Sequence, residues 1–74
     1  MNYNIINKIN GMIDKLQDAY HAEDTKVVDF MYQLQDTRDD IIRAFKNNKI
    51  DINYYLLYSN SLSEFSLNNR FRGA

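Results

Sequence analysis

Val27, Met31, Leu34, Ile41 and Phe45 recur at steps of four, three, seven and four, and that spacing restricts the middle of the chain to an amphipathic helix. Val28, Phe30, Ile42 and Ala44 widen the apolar face beyond a coiled-coil seam, while Asp29, Gln33, Asp36, Asp39, Asp40 and Arg43 occupy the other side. Asp24 is placed to cap the start, since a carboxylate there accepts from the first free backbone amides. Lys46 and Lys49 suit the negative end of the helix dipole, and Asn47 or Asn48 can take the left-handed stop. Arg38 falls on the step between Leu34 and Ile41, where a core residue is expected. Either its stem packs while the guanidinium reaches water, Asp14 or Asp18, or it is a buried charge that fixes the register of a dimer.

A chain of 74 residues with no cysteine has one small core and no disulfide to support it. Chains of this size commonly complete the core against a second copy or a target. Ahead of the central helix, Ile5, Ile9, Met12, Leu16 and Ala19 alternate steps of four and three, with Ile6, Ile13 and Tyr20 beside them. Gly11 interrupts this helix at a cost of about 1 kcal/mol relative to alanine, unless it permits a close helix crossing. The connection His21-Ala22-Glu23 is short enough to predict an antiparallel pair. Beyond Asn48, Ile50, Ile52, Tyr54, Leu56 and Tyr58 alternate like a strand. Yet no second strand exists to pair its backbone, so Asp51 reads as the cap of a third helix. The expected architecture is all-α, with helices over about 4–20, 25–46 and 52–65, a mobile tail over 66–74, and a homodimer formed through the broad apolar stripes.

Charge separates along the sequence. Asp14 to Asp40 holds eight acids against Lys15, Lys26 and Arg38, whereas residues 41–74 carry a net of plus three. A solvated helix surface accounts for such acids, and so does a face that meets a basic partner. Nucleic acid as a direct ligand is disfavoured, because phosphates demand clustered lysine and arginine. No run of eighteen apolar residues and no leader pattern occurs, which predicts a cytoplasmic protein with no membrane span. His21 is the single histidine, so a metal site lacks converging ligands. There is no phosphate-binding glycine loop and no nucleophile–base pair. The chain reads as a binding protein without cofactor or metal rather than as an enzyme. The four consecutive apolar residues Tyr54 to Leu57 cannot all face one core. Either some of Tyr54, Tyr55 and Tyr58 are exposed to a partner, or the tyrosines close the small core with their hydroxyls in water.

Two resemblances add to this reading. Tyr20 before the connection, with Asp39, Ile41, Ile42 and Phe45 after it, resembles the small aspartyl-phosphate phosphatases of the sporulation phosphorelay. Their Ser-Gln-x-x-Asp signature is replaced here by Gln35-Asp36-Thr37-Arg38-Asp39, which lacks the serine and the glutamine. Ser61-Leu62-Ser63-Glu64-Phe65 is similar to the peptide Gln-Leu-Ser/Asp-Leu-Phe by which bacterial proteins bind the DNA polymerase III sliding clamp. Leu62, Ser63 and Phe65 match; Ser61 and Glu64 do not. Small size, abundant Asn, Ile, Lys and Tyr, and the lack of proline, cysteine and tryptophan resemble early proteins of phages that infect low-GC Gram-positive hosts. As a whole the chain is similar to phage-encoded inhibitors of the staphylococcal sliding clamp.

That resemblance implies a protein that binds the host clamp (the polymerase III beta subunit) in the host cytoplasm and stops replication. Two surfaces could carry the contact. Leu62 and Phe65 could enter the clamp's peptide pockets, or Asp36, Asp39 and Asp40 could line its basic DNA channel, with Tyr54, Tyr58 and Arg72 adding contacts at the edge. Glu64, where the peptide needs an apolar residue, favours the channel. The rival reading is a helical inhibitor or adaptor of another host protein, such as a CRISPR effector, a polymerase subunit or a regulator.

Overall fold

The computed structural model describes residues 2–65, which form three helices with no strand among them. The expected tail over 66–74, with Arg72, lies outside the described residues. The first helix, α1, spans Tyr3–His21 and starts where Asn2 supplies the cap, its side-chain oxygen accepting from the Ile5 amide at 3.2 Å. This cap was not among those expected from the sequence. The Asn2 amide also donates to the Lys49 carbonyl at 2.9 Å, which ties the start of α1 to the turn after the second helix. Ile6, Ile9, Ile13 and Leu16 are buried, so the stripe is centred slightly to one side of the expected one, and Ile5 and Ala19 are only partly covered.

The second helix, α2, spans Val27–Lys46. Asp24 is not its cap. Lys26 occupies that position and makes no side-chain cap bond. The buried residues are Phe30, Thr37, Ile41 and Ala44, whereas Val27 is 40% and Met31 49% exposed. The core face is therefore turned from the expected one by roughly 60°, at 3.6 residues per turn. This turn removes the conflict at Arg38. Thr37 takes the core step instead, with its hydroxyl donating to the Gln33 carbonyl at 2.8 Å, and Arg38 is exposed. A buried hydroxyl that bonds one turn back within its own helix leaves no polar group unsatisfied.

The end of α2 follows local chemistry. Asn48 has φ of 59°, the left-handed conformation that asparagine tolerates better than most residues. Its amide donates to the Phe45 carbonyl at 3.1 Å and the Lys49 amide donates to Ala44 at 2.8 Å, the paired bonds of a Schellman stop. Ile50 is then buried, and Asp51 caps the third helix, α3 (Ile52–Ser63), by accepting from the Tyr54 amide at 3.0 Å. The strand-like alternation over 50–58 is thus overridden. The helix stops at Ser63, two residues short of the expected Phe65. Ser61 and Ser63 donate back to the carbonyls of Leu57 and Asn60, at 3.0 and 2.7 Å, which accommodates serine inside a helix.

Packing joins α1 to α2 and α2 to α3 around one core. At one end the rings of Tyr20, Phe30 and Phe65 meet with centroids 5.5 to 5.9 Å apart, one ring from each of three segments. At the other end Phe45 lies 4.6 Å from Tyr55. Gly11 plays no part in a close crossing: a Cβ added there would meet nothing within 4 Å. Gly11→Ala is therefore expected to stabilise the protein by about 0.5–1 kcal/mol, a rise of several degrees in melting temperature for a domain this small. A thermal melt checks this, and an unchanged or lower midpoint contradicts it.

Candidate protein-binding surface

Among the described residues no cluster of side chains is arranged to hold a metal ion. His21 ends α1 with its ring edge-on to Tyr20 at 5.3 Å, and no group of three or more histidine, aspartate or glutamate side chains converges. An apolar cleft between α1 and α2, lined by Ile5, Ile9 and Ala44 with Lys8 and Asp40 at its edge, holds about 110 Å³. No described helix is long and apolar enough to cross a membrane.

Of the three aspartates singled out on α2, Asp36 and Asp39 are exposed. Asp39 accepts from the Gln35 amide group one turn earlier at 2.9 Å, a contact that water reaches freely. Asp40 differs from both. Its carboxylate is largely covered and meets Lys8 of α1 at 3.3 Å and Arg43 at 3.0 Å. It is engaged inside the molecule, and the outward acids are Asp29, Asp36 and Asp39. Asp29, Tyr32, Asp36 and Asp39 follow one another at steps of three, four and three, so they share a side of the helix. Tyr32, 68% exposed, stands among the acids, with half-exposed Val28 one turn before it. Tyr32 was not among the contact residues expected from the sequence. The usable signal was an aromatic residue on the polar side of an amphipathic helix.

The aromatic and peptide-like candidates on α3 are placed otherwise. Leu62 and Phe65 are 3% and 6% exposed and belong to the core. Tyr58 is buried as well, and its hydroxyl donates to Asn10 of α1 at 2.8 Å, which joins α3 to α1. Tyr54 is half-buried, with its ring 5.9 Å from that of Tyr58. Burial pushes the Tyr58 hydroxyl above the ordinary tyrosine pKa, and neighbouring Tyr54 adds to the rise.

An unfolded tyrosine ionises near pH 10, below the folded value, so this group's contribution is complete below that pH. It is lost as pH climbs from there through the folded pKa. Tyr58→Phe is expected to cost about 1 kcal/mol at neutral pH through the lost hydrogen bond. It should also flatten the alkaline fall in stability. Urea midpoints of both proteins at about pH 8 and about pH 11 check this, and parallel losses would refute it.

Compared with known proteins, the chain matches no protein family, no curated protein and no solved structure.

Proposed function

We propose that this protein is a phage-encoded, non-enzymatic inhibitor that binds the host DNA sliding clamp and blocks the clamp's DNA channel with the acidic side of α2. The observation that carries this reading is the contrast between two candidate surfaces. Asp29, Asp36 and Asp39 face water, whereas Leu62 and Phe65, the residues of the peptide-like segment, are packed inside. A peptide that fills another protein's pockets must leave its own core, and in a domain this small that would cost much of the stability. A basic channel built for duplex DNA offers the complementary charge instead, and such complementarity speeds association and suppresses wrong partners.

In the same reading α1 and α2 form an antiparallel pair, supported by the Asn2–Lys49 backbone bond and the Lys8–Asp40 ion pair. Two copies act together, since pairing doubles the acidic surface and gives an object wide enough to obstruct a ring. The test is direct binding to purified staphylococcal clamp across a salt series. Binding that weakens with salt, and is not displaced by clamp-binding peptide, is expected. Absence of binding at low salt would remove the clamp as target, and retention of a different host protein would favour the rival adaptor reading. Displacement by the peptide would return the contact to Leu62 and Phe65.

A further inference from the structure

Exposed apolar side chains gather in two places, and charge distinguishes them. On α2, Val27, Val28, Met31 and Tyr32 are 40% to 68% exposed, but Asp29 lies among them and Asp36 and Asp39 follow. On α3, Ile52, Leu56 and Leu57 are 50% to 57% exposed, and no charged residue occurs from Ile52 through Ser63. Charged residues make up 26% of the chain, so twelve consecutive positions without one are unusual for a helix that faces water. Helical spacing places Ile52, Leu56, Asn60 and Ser63 on one outward side, with Asn53 and Leu57 beside them. The inward side carries Tyr58 and Leu62.

We propose that the outward side of α3 is the surface through which two copies of this chain pair, with the two α3 helices antiparallel about a twofold axis. This rests on the reading that the protein self-associates, and it moves the contact from the α1 and α2 stripes to α3. In a twofold contact the same patch lies on both sides, so each surface must be complementary to itself. The outward side of α2 fails that requirement, because its acids would face acids. The outward side of α3 meets it, because no charge has to leave water.

Shape agrees with charge. The bulky residues Ile52 and Leu56 lie in the first half of the helix, and the smaller Asn60 and Ser63 in the second. Antiparallel pairing sets bulky against small along the seam, which lets the helix axes approach. Asn53 and Asn60 supply donors and acceptors within the contact. The acids at its two ends, Asp51 and Glu64, are exposed at the rim, where water and salt screen them. A helix of twelve residues is about 18 Å long, and its one side offers less than the roughly 800 Å² per partner of a standard interface. Pairing is therefore expected in the micromolar range, and salt should not weaken it. The acidic side of α2 stays open on both copies.

Sedimentation velocity of the full chain over the micromolar range tests this. The wild-type protein should pass from monomer to dimer, Leu56→Glu should remain monomeric, and Val28→Glu on α2 should dimerise like wild type. As a check that does not depend on an added charge, Leu56→Cys in this cysteine-free chain should oxidise to a covalent dimer faster than Met31→Cys. A wild-type monomer at every concentration would overturn self-association and the α3 contact together. A wild-type dimer that persists in Leu56→Glu, with equal cross-linking at both cysteines, would overturn the α3 contact alone. Clamp binding by the acidic side of α2 is read separately, from its salt dependence, and a wild-type monomer would remove only the two-copy form of that reading.

Discussion

Phe30→Ala should remove a large part of the protein's stability, whereas Met31→Ala, one residue along the same helix, should melt within a few degrees of wild type. Phe30 has no exposed surface, and its ring is 5.9 Å from those of both Tyr20 and Phe65. Truncating a buried phenylalanine to alanine costs about 3–5 kcal/mol, from lost burial and from the cavity that remains. A domain of this length has a total stability of about 4–11 kcal/mol, with small cores toward the lower end. One substitution thus removes a large part of it, and the aromatic contact that joins α1, α2 and the segment after α3 goes with it.

Met31 is half in water, and truncation there should change stability by only about 0.5 kcal/mol. Circular dichroism melts of the two variants read out the angle at which α2 faces the core. Equal losses in both would mean that the helix is turned toward the Val27–Met31 face after all.

The second large effect concerns binding. Under the proposed clamp-binding function, the double variant Asp36→Asn, Asp39→Asn should slow association with the clamp by about tenfold or more at low salt, and should flatten the dependence on salt. Both carboxylates are exposed and neither joins α2 to another helix, so the fold should survive their neutralisation. Asp40→Asn is expected to behave differently. It loses the contacts to Lys8 and Arg43, two cations that are themselves well exposed, and such pairs contribute about 0–1 kcal/mol. Its effect should appear as a small loss of stability and only weakly in binding.

Leu62→Ala and Phe65→Ala should lower stability by several kcal/mol and reduce binding only as far as they unfold the chain. Surface plasmon resonance at several salt concentrations, paired with melts of the same variants, separates these outcomes. Affinity of the aspartate double variant equal to wild type at every salt concentration would rule out the acidic side as the contact.

Several features of this protein were legible in its sequence because their causes are local. The first two helices follow from apolar spacing, and the helical state of residues 52–63 follows from the lack of a second strand-like stretch in the sequence to pair with. Asp51 caps α3 because a carboxylate just before the first turn reaches its free amides. Asn48 ends α2 because its backbone tolerates positive φ. These interactions are complete within a few residues, so neighbouring sequence specifies them.

The angle of α2 about its own axis is of another kind. Apolar residues cover such a wide arc of that helix that a face centred on Val27, Met31 and Phe45 and one centred on Phe30 and Ile41 look alike locally. Threonine at 37 reads as polar until a bond to Gln33 inside the same helix makes it fit for the core. Contacts with residues distant in sequence make the choice. Phe30 fits between Tyr20 and Phe65, and Asp40 finds Lys8. From that one rotation follow the exposure of Arg38, the emergence of Tyr32 among the acids, and the loss of Asp40 from the outward face. The burial of Leu62 and Phe65 was likewise decided by tertiary structure, since Leu62 on the Tyr58 side of α3 and Phe65 just beyond the helix leave water only where α1 and α2 pack beside them.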